Sequence, residues 1–210
     1  MRATSLIDPA ARQHLEATIG EIERTTAGEL VLVVAGACDD YAAVGWWLGV
    51  LLAALAFTAL AALAPPPFEW IYLAAQAVAL AIGLALARVD AVRRRLLPDA
   101  LVEARVWERA RQAFVAQGLM HTAGHTGVLV FVALLERRVV VLADEGIHRL
   151  LEPGERWQDV VDLATDGLRS GRPVEGLDAA LRRCGAILAR LAAPTPDNPD
   201  ELPNRVVLED

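Results

Sequence analysis

The chain has 210 residues, 27 acidic and 20 basic, for a net charge of −7 and a pI near 5.1. That length excludes a large multidomain enzyme and admits one domain with an accessory element, while the acidic balance excludes a nucleic-acid binder built on a basic footprint. With 55% hydrophobic residues, 22% charged residues and a mean hydropathy of +0.36, the composition is too apolar for a disordered chain and points to a segment that lives in lipid.

Asp8-Pro9, followed by Leu15, Ile19 and Ile22 at helical spacing, predicts an N-capped helix with proline in its first turn, ending near Thr25-Thr26. Glu29 to Gly36 is then a strand whose apolar run is continuous rather than alternating, which predicts burial on both faces. From Tyr41 through Phe68 no residue is charged, and Val44 to Ala64 is long enough as a helix, roughly 31 Å, to cross a bilayer. After Pro65-Pro66-Pro67 a second run, Trp70 to Ala87, would reach roughly 27 Å. Two spans joined by a proline turn predict a transmembrane hairpin. Tyr41, Trp46, Trp47, Trp70 and Tyr72 stand at its ends, where an aromatic belt is expected. Gly45 and Gly49 form a G-x-x-x-G pair near the start of the first run, a spacing that permits close helix packing, as against the second run. Arg88, Arg93, Arg94 and Arg95 follow the second run, whereas the connection between runs holds only Glu69, so both ends of the hairpin are expected in the cytoplasm. The segment Met1 to Pro9 has no apolar core of a cleavable signal peptide, which agrees with that side.

Asp99 to Leu119 returns as an amphipathic helix, and Gly127 to Ala133 reads as a second buried strand. Arg138 to Ala143 reads as a third strand, antiparallel to it across a turn at Leu134 to Arg137. Helices are predicted at Glu155 to Ser170 and Val174 to Leu191, and the proline-rich tail Ala193 to Asp210 is expected to be extended, with Val206 to Leu208 able to dock locally. The expected architecture is α/β: a small three-layer sandwich with a short mixed sheet, interrupted by a two-helix transmembrane hairpin. Its divisions are 1–40 and 98–192 for the two parts of the α/β domain, 41–97 for the hairpin and 193–210 for the tail.

The strand Gly28-Glu-Leu-Val-Leu-Val-Val, the long stretch Thr126 to Ile147 and the final two helices resemble the TPM domain, a module found in a thylakoid lumen acid phosphatase and in many bacterial membrane proteins. The ending Asn198-Pro-Asp-Glu-Leu-Pro-Asn-Arg205 is similar to the bacterial branch in which a membrane hairpin interrupts the domain. The resemblance implies acidic residues at a sheet edge that bind a divalent cation, and in some members phosphate-ester hydrolysis. The family's Asp-Asn-Gly before the second strand reads His125-Thr126-Gly127 here, and its Gly-aromatic-Gly after the third reads Asp144-Glu145-Gly146. Phosphatase activity is therefore not carried over.

Parallel pairing of the first two strands would place Asp144 with His125 and Thr126 at one sheet edge, and Asp39 and Asp40 beyond the other. Asp144 and Glu145 are the candidate metal ligands, as oxygen donors for Ca2+ or another divalent cation; the alternative is that Asp144 caps a short helix through His148 and Leu151. Calcium takes about six to eight oxygens, so two carboxylates would hold it no tighter than roughly millimolar. Asp39 and Asp40 read as a solvated loop. His121 and His125 lie where a helix ends, so a shared metal-binding face is not expected. Cys184 reads as a core residue, and Cys38, with Asp39 beside it, as a thiol of raised pKa rather than a nucleophile; the two cysteines form no disulfide framework, which fits a reduced compartment. The expected function is a non-enzymatic, membrane-anchored interaction or scaffold protein whose partners are the lipid bilayer and a membrane protein, with no nucleic acid. A cation-dependent phosphatase, or a structural subunit of a membrane complex, are the alternatives.

Overall fold

A short helix α1 (Ala3–Leu6) precedes α2 (Pro9–Glu23), which begins where Asp8 Oδ1 accepts a hydrogen bond from the Ala11 N–H at 2.7 Å and Pro9 occupies the first turn. The structure is a computed structural model and describes residues 2–63, 68–122, 124–150, 157–194 and 202–210. The Pro65-Pro66-Pro67 turn, Leu151, the start of the helix expected from Glu155 and the first half of the tail motif at Asn198 lie outside the described residues. Two compact units are present: Met1–Cys38 with Glu103–Asp210, and Asp39–Val102.

The first unit is mixed α/β. Its strands β1 (Glu29–Ala35), β2 (Gly127–Ala133), β3 (Arg138–Ala143) and β4 (Val206–Glu209) form one sheet in the order β3-β2-β1-β4. β1 runs parallel to both β2 and β4, with Glu29 opposite Gly127 and Leu32 opposite Val206, and β2 is antiparallel to β3. β1 and β2 are buried at every position, as their unbroken apolar runs require. Leu30, Leu32, Val34, Val128 and Val130 point into a core with α2 and with helices α8 (Gln158–Arg169) and α9 (Pro173–Leu191). The alternate residues Val31, Val33, Leu129 and Phe131 are buried on the other face, where Val106, Ala110 and Ala113 of α6 (Asp99–Ala116) are buried outside that core.

The end of the tail, expected to be extended and able to dock at Val206 to Leu208, forms the edge strand β4, tied by Gly36 N–H to Glu209 O (2.7 Å), Val206 N–H to Glu16 Oε1 (3.1 Å) and Arg109 to Glu209 (2.7 Å). β1 would otherwise expose its ladder groups at the sheet edge, and a four-residue strand is enough to occupy them. The helix expected to reach Leu119 stops at Ala116, because Gly118 takes φ 77 and a 3-10 turn follows at Leu119–His121.

In the second unit, α3 (Ala42–Leu63) and α4 (Trp70–Leu86) pack on each other through glycine. A Cβ on Gly83 would lie 2.4 Å from Gly49 Cα, and one on Gly49 would lie 2.6 Å from a Leu80 methyl, so this contact admits no side chain. Gly45 faces Ala87 and Leu84, and the Phe57 and Tyr72 rings meet at a tilt of 51° with centroids 5.3 Å apart. The G-x-x-x-G pair thus serves α4 of the same chain. α3 is long and apolar enough to cross a membrane; α4 meets that measure only together with α5 (Asp90–Leu96), from which it is bent by 95°. The second run therefore ends at Leu86 in a break, and the arginines lie on or beside a separate helix.

Candidate functional site

Asp144 stands where β3 ends and α7 (Glu145–Leu150) begins, and its N–H donates to the Gly127 carbonyl at 2.8 Å, so the start of β2 and the end of β3 meet. The Asp144 carbonyl accepts from His148 N–H at 3.0 Å, which puts the residue at the N-cap position of α7, and its Oδ1 accepts from the adjacent Glu145 N–H at 2.8 Å. Its Oδ2 lies 3.2 Å from His125 Nδ1. Glu145 turns away and pairs with Arg149 one turn on. The two carboxylates thus serve different protein partners, and among the described residues no group of three His, Cys, Asp or Glu side chains is placed to hold a metal ion.

Thr126 directly precedes β2, and its hydroxyl is committed to the backbone. Oγ1 donates to the Ala27 carbonyl at 2.7 Å, while the Thr126 N–H donates to Thr122 Oγ1 at 3.0 Å. His125 takes φ 52, a left-handed backbone unusual for a side chain of its size, and its N–H donates to the Thr122 carbonyl. Gly146 has a steric reason: a Cβ there would lie 2.4 Å from Gly124 O and 2.5 Å from His125 O. The edge is therefore a closely packed junction of β2, β3 and α7.

Asp39 Oδ1 accepts from Tyr41 N–H at 3.1 Å and Asp40 Oδ1 from Ala42 N–H at 3.0 Å, local turns at the entrance to α3. His121 ends the 3-10 turn. At the C-terminal end of the sheet, buried Glu136 accepts from the Cys38 N–H at 2.9 Å. Burial first, and then the Glu136 carboxylate, push the Cys38 thiol far above its ordinary pKa; burial alone does the same to Cys184. The Cys38 thiol is raised, as its sequence neighbourhood suggests, but the carboxylate responsible is Glu136 rather than Asp39. Sequence reasoning missed Glu136 and also Glu23, whose Oε1 accepts from the Leu30 N–H at 2.9 Å. An acid at a strand end or turn carries no sequence signal of burial.

No protein-family model matches the chain, and no curated protein matches it. Among solved structures the chain is similar to the BA42 protein of the psychrophilic bacterium Bizionia argentinensis, determined by NMR, with a TM-score of 0.57 and 16% identity over 96% of this chain and 94% of that one. At that identity the likeness shows the fold alone.

Proposed function

We propose that the chain is a membrane-anchored protein in which α3 and α4 form a two-span hairpin, and the TPM-like α/β unit acts at the cytoplasmic membrane face as a non-enzymatic interaction or scaffold domain. The observation that carries the anchor is topological. β1, before α3, is hydrogen-bonded between β2 and β4, which come after α4. A sheet cannot be divided by a bilayer, because its ladder would have to cross hydrocarbon; if α3 crosses, the chain must cross back before β2. α4 is the one apolar run available, roughly 26 Å long. The outer faces of the pair are apolar and exposed: Trp47 is 75% exposed, Leu63 84% and Leu73 71%. With α4 across the membrane, the 95° bend lays α5 along its surface, where Arg93, Arg94 and Arg95 can reach lipid phosphates.

The non-enzymatic part of the reading is supported by Asp144 and Glu145, each engaged by a protein partner that accounts for it. Carbonate extraction tests the anchor. The parent is expected to stay with the membrane, and Leu52→Arg and Val78→Arg each to impair insertion with a penalty of about 3 kcal/mol. A parent released by carbonate would overturn the anchor, and hydrolysis of a phosphate ester by the solubilised protein, lost in Asp144→Asn, would overturn the non-enzymatic reading.

A further inference from the structure

Two polar side chains other than aromatics lie within α3 and α4, Thr58 and Gln76. Thr58 is satisfied by its own helix, its hydroxyl donating to the Ala54 carbonyl at 2.9 Å. The Gln76 side chain makes no hydrogen bond among the described residues. It lies in a shallow groove along the helix pair, lined by Val50, Ala53, Ala54, Phe57, Ala77 and Leu80. Six residues from Trp70, it is roughly 9 Å inside the aromatic belt, where lipid tails offer no donor or acceptor.

We infer that Gln76 is an association contact between two copies of this chain, its carboxamide pairing with that of the second copy's Gln76 across the groove. The inference rests on the bilayer reading above. A carboxamide carries both donors and an acceptor, so it is complementary to itself. Two copies inserted with the same orientation and related by a two-fold axis along the bilayer normal hold equivalent residues at equal depth. A single unsatisfied amide therefore finds a depth-matched partner in another copy without any further polar residue. Ala53, Ala54 and Ala77 leave the groove shallow enough for a second helix pair to approach closely.

The test uses the full chain, labelled with donor or acceptor fluorophores, in phosphatidylcholine–phosphatidylglycerol vesicles separated by flotation. The parent is expected to float and to show energy transfer. Gln76→Leu should float equally and dissociate roughly tenfold more readily, with Gln76→Asn retaining part of the association. Ala77→Cys, in the groove, should form a crosslinked dimer on oxidation, and Val78→Cys, on the other side of α4, should not. A parent that floats without transfer, or a Gln76→Leu variant with the parent's transfer, overturns the association and leaves the anchor standing. A parent that does not float overturns the anchor and the association with it.

Discussion

Thr126 donates its hydroxyl to the Ala27 carbonyl at 2.7 Å, and that single bond decides what an acid at this position would do. An aspartate there has no proton to donate at neutral pH, so its carboxylate would face a carbonyl oxygen in a part-buried place. Thr126→Asp is expected to cost about 1–3 kcal/mol, or roughly 2–4 °C in Tm for each kcal/mol, with no recovery on adding calcium. A calcium-dependent rise in the variant's Tm of several degrees would show instead that the carboxylate swings toward Asp144 and completes a cation site. The sequence made part of this edge readable. Asp144 before an apolar helix turn reads as a cap, and Glu145 with Arg149 has the spacing of a helical ion pair. The strand order read from the sequence already places His125 and Asp144 at one sheet edge; only their direct 3.2 Å contact has no sequence signal, because it depends on a left-handed backbone at a histidine. The direction of the Thr126 hydroxyl was not readable, because it follows from how β1 and the loop before β2 lie side by side.

At the scale of elements, α2 and α9 are joined by more than their apolar faces. Asp178 on α9 accepts from Thr18 Oγ1 at 2.6 Å and from Arg182 Nε at 2.9 Å, with His14 Nε2 at 3.2 Å. Burial opposes ionisation of Asp178, but the hydrogen bonds from Thr18 and Arg182 outweigh it and hold its carboxyl below the ordinary value. A carboxylate whose folded pKa is depressed contributes stability that is complete above its unfolded pKa of about 3.9 and is lost as pH falls through the lower folded value. Asp178→Asn is therefore expected to cost about 1.5 kcal/mol at pH 7, with the Tm gap to the parent closing below about pH 4. A gap that is the same at both pH values would assign the loss to packing rather than charge. The elements differ in how plainly the sequence announced them. β1, β2 and β3 are continuous apolar runs bounded by turns, and α2 carries its cap and proline. β4 is four residues behind a proline-rich stretch, α1 is a single turn, and the α4–α5 break falls at Val89 with neither proline nor glycine to mark it. β4 is set by its pairing with β1, and α1 by its packing on β4, rather than by local pattern.

For the whole molecule, the interleaving of β1 between β2 and β4 ties the proposed membrane anchor to the fold. Whatever the direction of insertion, Met1–Cys38 and Glu103–Asp210 must lie on one side, because they share a sheet. Charge then chooses the side. On that reading Arg88, Arg93, Arg94 and Arg95 follow the proposed second span, against Glu69 in the connection before it, and each basic residue near the surface is worth about 1 kcal/mol. Reporters at the two termini are therefore expected to agree with each other and to lie in the cytoplasm, while a tag inserted between Phe68 and Glu69 should be external. Replacing the four arginines with glutamine weakens the choice of side but not the coupling. Any inverted molecules should carry both termini outside and the tag inside, while a molecule with its termini on opposite sides could not assemble the sheet and should be cleared by proteolysis. Stable parent protein with its two terminal reporters on opposite sides of the membrane would mean that α3 crosses alone and that β1 does not pair with β2, overturning the anchor and the strand order together.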